Sequence, residues 1–466
     1  MENQKLKSTM SEKFIWALAY GSSIGWGAFV LPGDWIKNSG AIGASLGILI
    51  GGLLMIIISI SYGALTSKFP VSGGEFAFSY LGFGKYFSFF SSWFLILGYI
   101  CIVALNASAF SLLFKFLLPQ YIEKGYLYSI AGWDIYITEV ILSTIILIFF
   151  AFISVKGTGL SGSLQFIFCL FMAIFVSLLF VVSFNVGEFN FSNLNPLFND
   201  KIGVLQSILL IVSIAPWMYV GFDNIPQLAE EFNFKPEKTF KLLIFSILAA
   251  ILTYVAMILV TAWIYPDQSK IDGELWITGS VISASMGKIG MFFLSFSILM
   301  GIFTGLNGFY MSASRLIYAL GRSKMIPEQF GMLHKKNNTP HLSILFIMMI
   351  CLPAPWLGRT ALSWIVDMSS VGVSVAFLAT CLTAVKFFSK GKEKNLGFMI
   401  AGVFGAIISF FFLCLLLIPN TPSSLSQPSY IALLIWTVIG IIFFLIQYKK
   451  LNKLTKEELD AIILQK

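Results

Sequence analysis

Apolar runs recur along this 466-residue chain between short polar stretches, and most are long enough, at about 20 residues, for a helix to cross a bilayer. The pattern predicts twelve such segments, at 14–38, 41–66, 86–118, 134–155, 160–184, 204–229, 240–265, 287–318, 341–357, 361–385, 396–418 and 428–447. Segment nine is short and carries Pro353 and Pro355, and the stretch 266–286 is amphipathic enough to hold a short external helix. Polar, basic flanks precede and follow the apolar region at 1–13 and 448–466. The second reads as a partly amphipathic tail lying along the membrane surface or in solvent. Ala17-Leu-Ala19 resembles a signal-peptidase site, but only three apolar residues precede it, so the first segment is expected to be retained.

Two segments interrupt their own pattern. Segment one contains Gly21-Ser-Ser-Ile-Gly25-Trp-Gly27-Ala-Phe-Val-Leu-Pro32-Gly33, and segment six contains Ile214-Ala-Pro216-Trp-Met-Tyr-Val-Gly221-Phe-Asp223-Asn-Ile-Pro226. A broken helix in lipid frees N–H and C=O groups that need partners, so such breaks persist where they line a polar cavity or lie inside protein. Small residues there also serve close helix packing, which is the competing reading. Interrupted segments in corresponding positions of two halves point to an inverted repeat with its site at midplane. The expected fold is therefore an all-α polytopic membrane protein of twelve transmembrane helices. Segments one to five (14–184) and six to ten (204–385) would form a 5+5 inverted repeat with helices 1 and 6 broken, and 396–447 would add two extra helices.

Composition narrows the class. With 58% hydrophobic and 11% charged residues, against about 25% charged in soluble domains, the chain is a membrane protein. The formal charge of +8 comes from short Lys and Arg clusters between apolar segments, an orientation signal that argues against nucleic acid. Placing both termini inside puts 23 of the 30 Lys and Arg on the inner side and 7 on the outer, which fixes the expected topology. The five cysteines sit singly in apolar segments without ligand-like spacing, and both histidines, His334 and His341, share one hydrophilic loop. A His-based catalytic or metal site within the membrane is thereby excluded, and no cofactor is expected.

Helix dipoles give the breaks a chemistry. The outer half of segment one begins near Gly27 with unpaired N–H groups and a positive end, which suits a carboxylate. The outer half of segment six ends near Pro216 with free carbonyls, which suit an ammonium, so a zwitterion fits both. Asp223, an ionisable residue inside segment six, either titrates, pairs with a cationic substrate, or caps the inner half-helix. Asp367 in segment ten reads as structural. Trp26, Trp217, Tyr219 and Phe309 are the aromatics expected near the cavity; in a chain with 16% aromatic residues each one alone fits core or lipid contact better, and only adjacency to a break raises Trp26 and Trp217 above that.

Ile24-Gly-Trp-Gly-Ala-Phe-Val-Leu-Pro-Gly33 resembles the first-span signature of the APC superfamily of amino acid, polyamine and organocation transporters. Phe69-Pro-Val-Ser-Gly-Gly-Glu75-Phe is similar to its first cytoplasmic loop, and Tyr219-Val-Gly-Phe-Asp223 with Ala229-Glu-Glu231 to its sixth span. Ser314-Arg315-Leu-Ile-Tyr318-Ala-Leu-Gly-Arg322, followed by Met325-Ile-Pro327 and Thr339-Pro340, resembles its eighth span and following loop. The resemblance covers nearly the whole chain and implies the LeuT-type fold, with substrate held between spans one, three, six, eight and ten. Carried over by motif, Gly25 and Gly27 flank a carboxylate subsite, and Ser22 and Val220 line the substrate, as does Leu97, placed to within a residue or two. Trp217 and Phe309 match aromatics that close over substrate in the arginine/agmatine exchangers of the family. Asp223 matches an acidic position associated with gating or proton sensing, and Glu75 would belong to the inner gate.

The chain departs from that pattern at two places. Trp26 stands where relatives carry a small residue between the two glycines; pointing inward it shrinks the pocket or stacks on substrate, pointing outward it leaves the pocket unchanged. The lysine that many proton-coupled relatives carry in span five has no counterpart near Met172, counting from Gln165. A Na⁺ is the alternative occupant, using carbonyls of the first break and hydroxyls of Thr304, Ser312 or Ser314, which equally fit ordinary helix packing; proton or Na⁺ coupling stays open. The resulting expectation is a secondary transporter, symporter or exchanger, of an amino acid or small amine. It would be a monomer or homodimer in a cell membrane of the bacterial inner type. The alternative is a non-transporting sensor or partner-anchoring subunit on the same fold; an enzyme is disfavoured because catalytic carboxylate pairs, membrane histidines and cofactor motifs are lacking.

Overall fold

The computed structural model describes residues 6–130, 132–186, 189–264, 276–421 and 423–465, apart from the side chains of 359–361. Lys5, Lys270, Lys466 and the side chain of Arg359, all used above for orientation, lie outside the described residues. The described chain is almost entirely helical. Nine helices in it are long and apolar enough to cross a membrane: Ala41–Lys68, Lys85–Leu117, Ile137–Lys156, Thr158–Ser183, Pro236–Trp263, Ile277–Arg322, Leu362–Phe388, Leu396–Leu417 and Gln427–Leu451. They coincide with all the predicted segments except one, six and nine, the three that carry Pro in their interior. Segment one is built of Glu12–Ile24, Gly27–Val30 and Pro32–Ser39, and segment six of Gly203–Val212, Ala215–Tyr219 and Asn224–Gln227. Segment nine is the short helix His341–Cys351, after which Pro353 and Pro355, unable to donate to a helix ladder, leave only a 3₁₀ turn at Ala354–Leu357.

Segment three is the central element: 94% of its most apolar stretch is buried inside the protein, against 22% for segment twelve, which therefore lies at the periphery. Segment two approaches segment six along a stripe of glycines one helical turn apart. A Cβ on Gly43, Gly47 or Gly51 would come within 3.1 Å of Ser207, 2.5 Å of Ile211 and 2.9 Å of Ala215. Small residues at this spacing let backbones approach in lipid, where dispersion rather than the hydrophobic effect drives helix association.

Three local features differ from the sequence expectation. A two-stranded hairpin, Tyr126–Ile130 with Trp133–Tyr136, follows segment three, so the helix expected from 134 starts at Ile137 and the fold is not purely α. The hairpin is tied down by Tyr128 Oη donating to the Trp356 carbonyl at 2.5 Å and by Lys115, which donates to the Asp134 carbonyl at 2.8 Å and pairs with Glu139 at 3.1 Å. Helix Ile277–Arg322 changes direction at Gly287, whose φ of 58° only glycine reaches without strain. Residues 277–286 before that kink are the helical part of the expected external helix at 266–286; residues 265–275 lie outside the described residues. Thirdly, the tail does not lie free. Its helix Lys456–Ile463, started by a Thr455/Glu458 capping box, buries Leu459 and Ile463 against the protein and accepts a 2.8 Å bond from Tyr80 Oη on Asp460. Burial and the neighbouring carboxylate push the Tyr80 phenol up, so it remains the donor in that bond at neutral pH.

Both termini meet on one face, at Glu230 and Glu231. Glu230 accepts from Leu6 N at 3.4 Å, from Arg322 at 3.1 Å and from Gln465 at 2.7 Å. Met10 is strapped beside Phe232 through Met10 N to the Glu231 carbonyl and Asn233 N to the Met10 carbonyl, both 3.0 Å. Beneath this, Arg315 pairs with Glu231 at 2.8 Å with side chains 0% and 1% exposed. Thr158 Oγ1 accepts from Arg315 and donates to Glu231.

Removing one member of a buried pair leaves the other charge uncompensated, at a cost of about 3–5 kcal/mol, whereas replacing both by apolar residues is often neutral. Arg315→Met should therefore lower unfolding stability in detergent by that amount, and Arg315→Met with Glu231→Met should recover most of it. Equal losses in the single and double variants would show that the pair carries no such coupling.

Candidate functional site

The helix of segment one stops at Ile24, and Gly25 (φ 53°, ψ −159°) turns the chain before the helix resumes at Gly27. Segment six stops at Tyr219; Val220 is extended (ψ 133°), Gly221 has φ 132°, and the helix resumes at Asn224. Segment six is interrupted twice: the helix Gly203–Val212 already ends before Pro216, whose missing N–H cannot serve the Val212 carbonyl, and the chain breaks again at 220–223.

The two breaks touch. A Cβ on Gly221 would lie 2.5 Å from Ser23 N and 2.6 Å from the Ser22 carbonyl carbon, and one on Gly301 would lie 2.2 Å from the Gly25 oxygen. The rival readings of the glycines in segment one divide by position. Gly21 is a packing glycine, since a Cβ would meet Cys169 at 2.6 Å and Thr304 at 2.8 Å, and at Gly27 it would meet Trp217 at 2.9 Å. At Gly25 a Cβ would meet nothing within 4 Å, so this glycine faces open space.

The freed backbone groups are of two kinds. Phe29 N and Val30 N both turn to the Trp26 carbonyl, and the first turn of Gly27–Val30 leaves the Gly27 and Ala28 N–H groups without intrahelical acceptors. On the carbonyl side, the Tyr254 hydroxyl lies 3.0 Å from the Ser23 oxygen, 3.1 Å from that of Ile24 and 3.1 Å from that of Met218. One hydroxyl proton serves one of these at a time, which leaves acceptor capacity at the junction of the breaks. Ser23 Oγ donates to the Tyr219 carbonyl at 3.0 Å and joins the two segments directly.

On the face opposite the termini, a cavity of about 610 Å³ reaches down to Trp26 and Trp217, with Trp133, Trp276, Lys115 and Asp367 also on its walls. The Trp26 and Trp217 rings meet edge to face, 6.2 Å between centroids. Trp26 thus points inward, the orientation its sequence position left open. Ser22, Leu97, Val220 and Phe309 are buried below this floor, outside the cavity lining, and Phe309 packs against Tyr99 at 5.4 Å. Trp217 and Phe309, paired by the family pattern, therefore stand on different levels. Asp367 Oδ2 accepts from Ser426 N at 3.1 Å and Ser429 Oγ at 2.8 Å, tying segment ten to the start of segment twelve.

Asp223 and Glu75 come together through two residues that the sequence did not single out. Asp223 Oδ1 accepts from Gly221 N at 2.6 Å and Oδ2 from Tyr99 Oη at 2.7 Å; its side chain makes no capping bond to the helix Asn224–Gln227. Gln227 Nε2 donates to Glu75 Oε2 and lies 3.5 Å from Tyr99 Oη. The carboxylates are 0% and 2% exposed, and among the described residues neither has a Lys, Arg or His in ion-pair contact. Nothing local marks Tyr99 among 16 tyrosines or Gln227 beside Pro226; only the packing of segment three against segment six joins them.

The hydroxyls considered for Na⁺ do not converge. Thr304 Oγ1 lies 3.0 Å from the Gly21 carbonyl and 2.9 Å from that of Gly301, at the first break. Ser312 and Ser314 follow eight and ten positions later in the same helix, about 12–15 Å along its axis. Ser314 donates to the Met311 carbonyl and accepts from Arg315, while Ser312 Oγ is buried without a partner. No single ion reaches all three. Between segments one, five and eight the structure places neutral donors instead. Gln165 Nε2 donates to the Thr304 carbonyl at 3.2 Å, Asn307 Nδ2 to Gln165 Oε1 at 2.8 Å, and Cys169 Sγ to the Ala17 carbonyl at 3.1 Å.

Residues 15–444 match the amino acid permease family as a whole, breaks included. The chain belongs to the amino acid permease family. Its relatives are transporters rather than enzymes. It is similar to the methylthioribose transporter of Bacillus subtilis (strain 168), 23% identical over 98% of this chain and 96% of that protein. It is likewise similar to the branched-chain amino acid permease BcaP of Lactococcus lactis subsp. cremoris (strain MG1363), 26% identical over 69% of this chain and 70% of that protein. The histidine permease HisP of the same organism is 24% identical over 83% of this chain and 81% of that one.

In this permease the Trp26 indole forms cavity wall and is partly exposed, so its removal enlarges the cavity at small cost to the core. Trp26→Ser is expected to leave thermal unfolding close to that of the parent while shifting competition for binding towards larger amino acids. A competition profile identical to the parent's across small and large amino acids would separate Trp26 from substrate choice.

Proposed function

We propose that this permease is a secondary transporter that carries an amino acid or related small amine by alternating access. The observation that carries the reading is the contact between two broken helices in corresponding positions, with free N–H groups at Gly27 and Ala28 and under-satisfied carbonyls at Ser23, Ile24 and Met218. A carboxylate fits the first set and an ammonium the second. On this reading all twelve segments span, 14–184 and 204–385 are the inverted repeats, and 396–447 are additional. The termini face the cytoplasm, in keeping with the Lys and Arg bias. The cavity above Trp26 then opens outward, the Trp26–Trp217 pair covers the site, and the Arg315–Glu231 pair closes the inner side, which describes an outward-facing state with the site occluded.

Gly25, Gly27, Ser22, Val220 and Leu97 form the substrate site, with Trp26 and Trp217 as its floor towards the outside and Phe309 beneath. Coupling to protons is favoured by the Asp223–Tyr99–Gln227–Glu75 chain. The chain gives two buried carboxylates only neutral hydrogen-bond partners, a setting in which a proton can be taken up and passed on as the gate moves.

Purified protein in proteoliposomes should accumulate or exchange an amino acid or amine under a proton, Na⁺ or counter-substrate gradient, with methylthioribose among the competitors. Folded protein that binds ligands, by thermal shift, yet moves none of them under any gradient would favour a sensor. For coupling, Asp223→Asn should flatten the pH dependence of uptake. An unaltered pH profile in an active variant would assign Asp223 to holding the Gly221 turn.

A further inference from the structure

Segments three and twelve enclose, at the surface that faces lipid, a groove of about 150 Å³ walled by Tyr86, Phe89, Phe90, Trp93, Gly440 and Ile441. Its shape is built in. Trp93 and Trp436 stack at 4.6 Å and exchange hydrogen bonds, Trp93 Nε1 to the Trp436 carbonyl at 2.9 Å and Trp436 Nε1 to the Trp93 carbonyl at 3.0 Å. Gly440 has to be glycine, because a Cβ there would lie 2.4 Å from Trp93 Nε1. Phe89 and Tyr86 continue the ladder onto Phe444, with centroids at 5.0 and 5.7 Å. Tyr86, Phe90 and Ile441 remain 52%, 47% and 53% exposed, so the groove presents an apolar floor that this chain does not cover.

The end of the groove nearest the termini is strongly basic. Helix Lys85–Leu117 begins with Lys85, and helix Gln427–Leu451 ends with Lys449 and Lys450, followed by Lys453. Lys85 Nζ donates to the Asn452 amide oxygen at 2.9 Å rather than to a carboxylate, and among the described residues Lys449 and Lys453 have no acidic partner. Lys450 alone is paired, with Glu328 at 3.4 Å. Of the nearby acids, Glu458 is held in the capping box and Asp460 by Tyr80, while exposed Glu457 makes no ion pair among the described residues.

An apolar, aromatic slot inside the hydrocarbon layer, opening on three uncompensated lysines at its interface, matches one chemistry. Acyl chains fit the slot, and a negatively charged headgroup fits the lysines; juxtamembrane Lys and Arg attract anionic lipid, and basic clefts between membrane helices bind its headgroups. We propose that this groove is a binding site for one anionic phospholipid of the leaflet on the side of the termini, with its phosphate among Lys85, Lys449 and Lys453 and an acyl chain along Trp93 and Ile441. The consequence reaches the transport site through segment three. Leu97 lies one helical turn beyond Trp93, and Tyr99, which holds Asp223, follows two residues later. The lipid therefore braces the helix that supports the buried carboxylates. The proposal needs the membrane embedding common to the family and does not rest on which substrate is carried, or on transport itself.

Native mass spectrometry of the full-length protein, delipidated in detergent and then offered palmitoyl-oleoyl phosphatidylglycerol or the matching phosphatidylcholine, tests it without a flux assay. One phosphatidylglycerol should survive activation that strips phosphatidylcholine. Lys85→Gln with Lys449→Gln and Lys453→Gln should weaken its retention about tenfold or more. Ile441→Trp, which fills the groove and keeps every lysine, should do the same while leaving thermal unfolding near the parent's. Equal retention of the two lipids overturns the proposal. So does an Ile441→Trp variant that keeps phosphatidylglycerol as well as the parent, since attraction would then be diffuse and the groove idle.

Discussion

A membrane-embedded backbone cannot leave its N–H and C=O groups to solvent, and the centre of this permease is arranged around that demand. Breaking segment one at Gly25 and segment six at Val220–Asp223 frees groups that no helix ladder satisfies. The breaks shelter each other through Ser23 on the Tyr219 carbonyl and through Gly221 against Ser22 and Ser23, and neighbouring segments add the Tyr254 hydroxyl among three carbonyls and Gly301 against the Gly25 carbonyl. What remains unsatisfied, two N–H groups on one side and carbonyl capacity on the other, is the polarity on which a zwitterion can be held.

Charge is distributed by the same economy of partners. Arg315 and Glu231 are fully buried and fully paired, and they sit under the crossing of both termini at Glu230 and Glu231. Asp223 and Glu75 are just as buried and have only neutral donors. Two clusters of similar burial thus differ in their partners: one is charge-paired and the other is held by neutral donors alone. Between the Arg315–Glu231 pair and the open cavity, Trp26 and Trp217 are the last layer before the breaks.

Much of this was legible in the chain alone. Nine continuous helices follow from unbroken apolar runs, and segments one, six and nine fail to form single helices where Gly and Pro say they should. The motifs around Gly25, Glu75, Asp223 and Arg315 indicated the amino acid permease family before any coordinates. Less legible were features set by distant partners. Segment six is interrupted just before Pro216 and again at 220–223, and it is the second interruption, with extended Val220 and Gly221, that lies against Ser22 and Ser23 of segment one. Ser312 and Ser314 carried the right atoms on the wrong turns of their helix. The tail, amphipathic in pattern, docks on Tyr80 and Glu230, and the hairpin after segment three depends on Lys115 and Trp356, far from it in sequence or on another segment.

Hydrophobic period, charge bias and the positions of Gly and Pro act within one turn or one segment, so the sequence by itself determined a polytopic helical membrane protein, its segments, the fact of two breaks and the family. The direction of Trp26, the chain from Asp223 through Tyr99 and Gln227 to Glu75, and the pairing of Arg315 with Glu231 were decided only in the tertiary structure. Each of these joins residues from different segments, and whether two such side chains meet depends on how close their helices pack, which here is governed by glycines whose partners lie up to 347 residues away.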